Sequence, residues 1–354
     1  MEKKLKKILN HDLNITHGIY EPPNNIPILR YKINREGYKL IVIGNSLQRL
    51  SCISWLATEL LKPEYVFETL DELDIIDKSN KYFVVIADEN YKYSAYQSKL
   101  LSKLADLGIQ DYICPYDYEK IPRHDINYLD YFAKNHDNLL AMLNCLHDSE
   151  SKETYVEYIR SKMYCDFYRL TQHPTWNKYF DENVYTHLPN EVFINCGASN
   201  GDTIFYFMEK FKDFQKIIAL ESDKERIKQF KENLGYFRDD IQKRISLIEK
   251  QVDGNNNRLD LLCSRENVSL INMDIEGAEL ETLQGAKELI RNNLPVIAAC
   301  AYHLPTDLFE LPMHLKNISE EYEIFYRKYA STVRNRFCNA ELVMYAVPKR
   351  RLVK

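Results

Sequence analysis

The sequence predicts an α/β protein with a seven-stranded doubly wound sheet in its C-terminal half, a smaller N-terminal α/β domain and a helical connector. Three observations predict it. Short β-branched runs alternate with helix-length stretches, which implies parallel βαβ units. Only ten glycines occur in 354 residues, against an average near 7 %, and several of them end strand-like runs, so collagen-like, repetitive and glycine-linker architectures are excluded. Hydrophobic residues make up 45 % and charged residues 28 %, as in a folded domain, and 26 tyrosines indicate a core that leans on aromatics. At about 150 residues per domain the length suits two domains.

The chain begins with an arm over 1–36. Its Lys3, Lys4, Lys6 and Lys7 read as a solvated helical end in preference to a membrane-surface patch. Residues 38–44, Tyr-Lys-Leu-Ile-Val-Ile-Gly, form a strand ending in glycine, followed by a helical stretch over 47–61. A second apolar run at 82–87 precedes a helix over 93–107, Gly108 and a short strand at 111–114. These elements make a small α/β domain over 37–122. Apolar residues at helical spacing, from Leu129 and Phe132 through Leu143 to Val156 and Ile159, assign 123–188 to the connector. The second series fills 189–349. Its strands fall at 192–196, 216–220, 245–248, 268–273 and 295–302, its helices over 202–211, 223–234 and 278–291. Two closing strands at 322–326 and 341–347 pair as a hairpin.

Lys plus Arg is 47 and Asp plus Glu 52, a net charge of −5. The chain thus lacks the basic surplus that nucleic-acid binding by bulk electrostatics needs. The eight cysteines, Cys52, Cys114, Cys145, Cys165, Cys196, Cys263, Cys300 and Cys338, form no C-x-x-C pair and no Cys/His group. They read as reduced, buried thiols of a cytoplasmic protein, not as a disulfide framework or zinc site. No segment has the length and apolarity of a signal peptide or a membrane span.

The most informative segment is 195–203, Asn-Cys-Gly-Ala-Ser-Asn-Gly-Asp-Thr, at the carboxyl end of the first strand of the second series. Gly197 lets the backbone turn sharply where ligands of such sheets bind. A dinucleotide loop wants glycine at its first, third and sixth positions, which here hold Gly197, Ser199 and Asp202. Asp202 sets a carboxylate where a pyrophosphate would meet the positive helix end. S-adenosylmethionine, a phosphate-free cation with an ammonium group, fits the acidic surroundings better. Glu221 follows the second strand 24 residues after Gly197, the spacing at which a carboxylate meets ribose hydroxyls, and Ser222 or Asp223 would border the adenine. An exposed helix cap is the competing role for Glu221.

Residues 273–279, Met-Asp-Ile-Glu-Gly-Ala-Glu, end the fourth strand. On an extended backbone Asp274 and Glu276 project to one side, while Gly277 permits the turn into a helix that Glu279 caps. Such a carboxylate pair orients a hydroxyl, accepts its proton or binds a cation; it suits magnesium but requires no metal. His303 follows the neighbouring strand and reaches the same cleft, which makes it the first candidate for a general base, with Asp274 the second.

These residues resemble the FkbM family of S-adenosylmethionine-dependent methyltransferases. The resemblance rests on 192–203 (VFINCGASNGDT), 217–223 (IIALESD), 270–286 (LINMDIEGAELETLQGA) and 299–311 (ACAYHLPTDLFEL). It implies a Rossmann-like methyltransferase sheet and methyl transfer to a hydroxyl of a sugar, glycan or related small molecule. It also implies that Gly197, Asn200, Gly201 and Asp202 surround the methionine part of the cofactor, Glu221 the ribose, and Asp274, Glu276 and His303 the acceptor side; Asn195, Thr203, Ser222 and Asp274 complete the candidate cofactor-binding set. The 148–151 run (Asp-Ser-Glu-Ser) and the Tyr179-Phe180 pair resemble the region preceding this domain in two-domain members, where a degenerate nucleotide-fold domain comes first. Asn195 departs from the aspartate usual in the family. It keeps a carbonyl acceptor for the cofactor ammonium but loses the charge, weakening binding by about 1 kcal/mol or more.

Two other readings compete with this one. One is a non-catalytic scaffold that binds the cofactor or a sugar nucleotide, with Asn195 as its motive. The other is a nucleotide-dependent oxidoreductase using 44–49 (Gly-Asn-Ser-Leu-Gln-Arg), which lacks the second and third glycines of a dinucleotide loop. The small domain could recognise a sugar nucleotide or mediate a homodimer. Arg327, Lys328, Arg334 and Arg336 near the closing strands are candidates to contact an acidic acceptor, with solvated surface charge as the favoured reading.

Overall fold

Four strands form one sheet and seven form another. In the computed structural model the described residues are 1–9, 26–44, 49–50, 52–53, 56–57, 60–87, 94–113, 128–164, 173–329 and 341–353. The chain divides into one unit of Met1–His136, Tyr155–Thr171 and Ala330–Asn339, and a second of Asp137–Thr154, Gln172–Tyr329 and Ala340–Lys354. Cys114, Cys165, Cys338, Arg334 and Arg336 lie outside the described residues.

In the first unit, β1 (Lys39–Ile43), β2 (Tyr65–Phe67), β3 (Tyr82–Ile86) and β4 (Asp111–Ile113) lie in the order β2-β1-β3-β4, all parallel. Both faces are apolar, as continuous β-branched runs require. Ile41, Ile43, Val84 and Ile86 pack on one side with Leu73, Leu100 and Leu104. Leu40, Val42, Phe83 and Val85 pack on the other with Leu29, Cys52 and Leu56. The strand β2 was not anticipated; three residues with one buried side chain leave little periodic signal.

Gly44 ends β1 because the Ala87 carbonyl oxygen lies 1.9 Å from where a Cβ would sit. The glycine is thus accounted for by backbone packing at the end of β3. The helix Glu2–Leu9 buries Leu5, Ile8 and Leu9. Lys4 pairs with buried Glu157, and Lys6 with Glu2 at 2.7 Å. The apolar face of this basic helix is therefore already packed.

In the second unit the strands are β5 (Val192–Cys196), β6 (Lys216–Leu220), β7 (Ile245–Ile248), β8 (Leu270–Met273), β9 (Val296–Cys300), β10 (Tyr322–Lys328) and β11 (Leu342–Pro348). Their order is β10-β11-β9-β8-β5-β6-β7. Strands β5 to β9 are parallel, while β11 runs antiparallel between β9 and β10. The strand order reverses at β5, which sets a crevice at the carboxyl ends of β5 and β8. One face of the sheet is covered by an aromatic core that includes Phe180, Phe193, Phe207, Phe230 and Tyr345.

Several expectations are corrected. The helix read over 278–291 is two helices, Glu279–Gln284 and Lys287–Asn293. At the break Asp260 donates its backbone N–H to the Gly285 carbonyl, and its carboxylate accepts the N–H groups of Glu288 and Leu289 at the next helix start. The helix Asp307–Ile318 was not anticipated, because Pro312 inside it is the residue that normally marks a helix end. Cys145 is exposed, whereas Cys52, Cys196, Cys263 and Cys300 are buried free thiols. Arg327 is not a surface charge: it is buried and holds Asp148 at 2.6 Å and the Ser151 hydroxyl at 2.8 Å. Lys328 is likewise buried and donates to the Tyr329 carbonyl. Among the described residues no helix is long and apolar enough to cross a membrane.

Candidate active site

The loop after β5 is pressed against the chain leaving β8. Gly197 has φ of +84°, and a Cβ there would lie 2.1 Å from the Asp274 carbonyl oxygen. The Gly197 and Ala198 N–H groups both donate to the Leu220 carbonyl, and Asp274 N–H donates to Cys196. Three strand ends are thereby stitched together. Beside them opens a cleft of about 290 Å³, lined by Gly197, Glu221, Ser222, Asp223, Arg226, Lys250, Gln251, Asp274 and Glu276 among others.

Glu221 is 7 % exposed and does more than line the wall. One carboxylate oxygen accepts the Ser199 N–H at 2.8 Å; the other accepts those of Ser222 and Asp223 at 2.8 and 2.9 Å. It therefore organises the loop after β5 as well as the end of β6. A carboxylate offers about four acceptor positions, so one is left for a ligand hydroxyl. Asn200, Asp202 and Thr203 form the start of the helix Asp202–Lys210: Asn200 Oδ1 accepts the Asp202 N–H, and Asp202 Oδ1 accepts that of Thr203. With Gly201 as N-cap, they shape the turn rather than the cleft wall.

Asn195 is buried and pairs in register with Asn272 on β8. Asn195 Nδ2 and Asn272 Oδ1 are both buried without a hydrogen-bond partner. An orphaned donor and an orphaned acceptor, each two residues before a residue of the cleft wall, are what a polar ligand group would satisfy.

On the acceptor side, Glu276 is in the left-handed region with φ of +56°. The extended geometry expected for Asp274 and Glu276 therefore ends with β8, because the chain is already turning into the next helix. Both carboxylates nevertheless reach one imidazole: His303 Nε2 lies 3.4 Å from Asp274 and 3.7 Å from Glu276. Its Nδ1 lies 2.8 Å from Glu279 Oε1, which also accepts the Ile275 N–H at 3.0 Å. Glu279 is thus a turn cap and an imidazole partner at once. Burial pulls the His303 pKa down, but Glu279, Asp274 and Glu276 outweigh it and hold it above the ordinary 6.5.

Asp274 is fixed from the opposite side. It accepts from the Tyr179 hydroxyl at 2.7 Å and from Lys178 at 3.3 Å, and Lys178 also pairs with Glu341. Burial pushes the Asp274 carboxyl up; Lys178, Tyr179 and His303 overcome that and hold it below the ordinary 3.8. Tyr179 is anchored in turn: its N–H donates to the Tyr345 hydroxyl, its carbonyl accepts from Tyr185, and Tyr345 and Tyr329 share a hydrogen bond that ends on Asp181. Among the described residues no group of three His, Cys, Asp or Glu is arranged to hold a metal ion.

Residues 239–323 match the family model described as the methyltransferase FkbM domain. The chain carries an FkbM methyltransferase domain. The match takes in β7, β8, β9, the acidic turn and His303. The whole chain is similar in fold to the crystal structure of a methyltransferase FkbM from Methylobacillus flagellatus KT, with a TM-score of 0.71, 17 % identity and coverage of 97 % of this chain and 98 % of that one. Weaker likenesses include a precorrin-6y C5,15-methyltransferase from Geobacter metallireducens GS-15, with a TM-score of 0.34, 15 % identity and 46 % and 82 % coverage. A putative rRNA-methylase from Clostridium thermocellum follows at a TM-score of 0.35, 10 % identity and 52 % and 99 % coverage. Comparison with curated proteins found no match.

Of the residues singled out from sequence, the FkbM domain and the strands before it bring Gly197, Glu221, Ser222, Asp274 and Glu276 to one cleft and set His303 against two of them. Sequence reasoning missed Arg226, Lys250 and Gln251 on the cleft wall and Lys178 behind Asp274. The last three sit in polar segments without periodicity. Their one signal was position: 250–251 follows the end of β7, beside the carboxyl ends that bind ligands.

Proposed function

We propose that this FkbM methyltransferase uses S-adenosylmethionine to methylate a hydroxyl of a small molecule or glycan. The observation that carries the reading is the convergence of His303 Nε2 and the Asp274 carboxylate at the edge of a cleft whose other walls are Gly197 and Glu221. Charge supports the choice of cofactor: Glu221, Asp223, Asp274 and Glu276 face Arg226 and Lys250 in that lining, four acids against two bases, which favours a cation over a pyrophosphate. Glu221 would hold the ribose, Ser222 would border the adenine, and Asn195 would hold the ammonium group through its Oδ1.

When bound, S-adenosylmethionine supplies an electrophilic methyl group, which passes to the acceptor oxygen as the carbon–sulfur bond breaks. His303 Nε2 takes the hydroxyl proton. Asp274, held ionised by Lys178 and Tyr179, orients the acceptor hydroxyl and stabilises the imidazolium that results. Alignment and proton removal are the main contributions, because cofactor charge disperses along the reaction coordinate. The test is methyl transfer from isotope-labelled cofactor to a panel of hydroxyl acceptors. His303→Ala is expected to lower turnover with little loss of cofactor affinity, and unchanged turnover would remove His303 from the mechanism.

A further inference from the structure

Glu279 is fully buried, yet His303 is the sole side chain paired with it among the described residues. Its Oε1 accepts the Ile275 N–H and faces His303 Nδ1, while its Oε2 has no hydrogen-bond partner. Among the described residues no lysine or arginine is paired with it. Asp307 is buried at the start of the helix Asp307–Ile318, accepts the Leu304 N–H at 2.8 Å and is raised in pKa by burial and by the Glu279 charge. A buried carboxylate in such company leans on the one ring that can donate to it.

We infer that Glu279 is the positioning residue of the proposed base: it fixes the proton of neutral His303 on Nδ1 and so presents the Nε2 lone pair to the acceptor side. The inference rests on the methyl-transfer reading for its purpose, but the contact itself does not depend on it. A carboxylate at 2.8 Å can only accept, so Nδ1 must carry hydrogen. Nε2 is left free of any close hydrogen bond, with Asp274 at 3.4 Å and Glu276 at 3.7 Å and the Tyr302 ring centroid 4.2 Å from its own. The proton leaving the acceptor hydroxyl enters at Nε2 and makes an imidazolium, which Glu279 neutralises from the buried side.

The groups around the ring are Asp274, Glu276 and Tyr302, and Asp307 couples electrostatically to both Glu279 and His303. Burial, and next the Glu279 charge, push Asp307 up to about 8, with Glu310 adding to the rise and the Leu304 N–H and His303 opposing it. Burial thus favours the uncharged form of Asp307, which limits repulsion between its carboxyl and that of Glu279.

The test uses the full chain labelled with ¹⁵N-histidine, without cofactor or acceptor, and reads the tautomer and titration midpoint of His303 by NMR, the signal being assigned by its loss in His303→Ala. The wild-type neutral ring is expected to carry its proton on Nδ1 and to titrate above 6.5. In Glu279→Gln the midpoint is expected to fall by about one pH unit or more and the Nε2–H tautomer to gain population. An unchanged midpoint and tautomer in folded Glu279→Gln would overturn the inference. If that variant does not fold, a wild-type ring protonated mainly on Nε2 would overturn it. A failure to bind S-adenosylmethionine would instead overturn the methyl-transfer reading and leave this pair standing.

Discussion

Gly197 and Asp274 meet backbone to backbone: a side chain at residue 197 would begin 2.1 Å from the Asp274 carbonyl oxygen, and the glycine holds φ of +84°. The same contact that seats the loop after β5 also fixes where the Asp274 carboxylate starts. Gly197→Ala is therefore expected to lower stability by about 2 kcal/mol or more and to weaken S-adenosylmethionine binding at least tenfold. Thermal unfolding and calorimetric titration check both. Wild-type affinity in the alanine variant would mean that the loop is not part of the site.

Asp274 owes its ionisation to Lys178 and Tyr179. With a folded pKa below 3.8, it contributes stability that is present above that pH and lost as pH falls through the folded value. Lys178→Met is expected to move acid unfolding to higher pH, and Tyr179→Phe to cost about 1.5–3 kcal/mol through loss of a charge-assisted hydrogen bond. Acid titrations followed by near-ultraviolet circular dichroism would contradict this if the unfolding midpoint of Lys178→Met coincided with that of the wild type.

Asp307 has the opposite sign. Its folded pKa of about 8 exceeds the ordinary 3.8, so the native state holds the extra proton and stability falls as pH rises between those values. His303 contributes to the same decline, since its share is full below pH 6.5 and is lost as pH rises through its raised folded value. Asp307→Asn keeps an acceptor for the Leu304 N–H and is expected to be more stable than wild type at pH 8 than at pH 5, by about 1–3 kcal/mol. Denaturant unfolding at the two pH values that gave equal slopes for both proteins would refute it.

Much of this architecture was legible because strand and loop signals agreed. Val192–Cys196, Lys216–Leu220 and Ile245–Ile248 were readable from β-branched runs, and the doubly wound order follows from their alternation with helices. Gly197 and the 273–279 run located the crevice. Other features depend on tertiary pairing and leave no local trace. Glu279 read as a helix cap because its partner lies 24 residues away on another strand end. Arg327 read as surface charge because the acids that bury it, at 148 and 150, come from a different part of the chain.

Asn195 offers a sharper test of the cofactor's ammonium group. A carboxylate at this buried position would lie in register with Asn272, whose Oδ1 is already without a donor, so Asn195→Asp is expected to lower apo stability by about 1–3 kcal/mol. The same charge would attract an ammonium group and tighten S-adenosylmethionine binding several-fold. Unchanged or weaker affinity, measured by titration against a folded variant, would separate Asn195 from the ammonium site.

The central claim is that the cleft between Gly197, Glu221 and Asp274 takes S-adenosylmethionine. Isothermal titration of the full chain with the cofactor and with its demethylated product tests it most directly. One-to-one binding of both is predicted, at micromolar affinity, as about 8 kcal/mol of binding free energy implies, and weakened by Glu221→Ala. Absence of binding to either compound would contradict it.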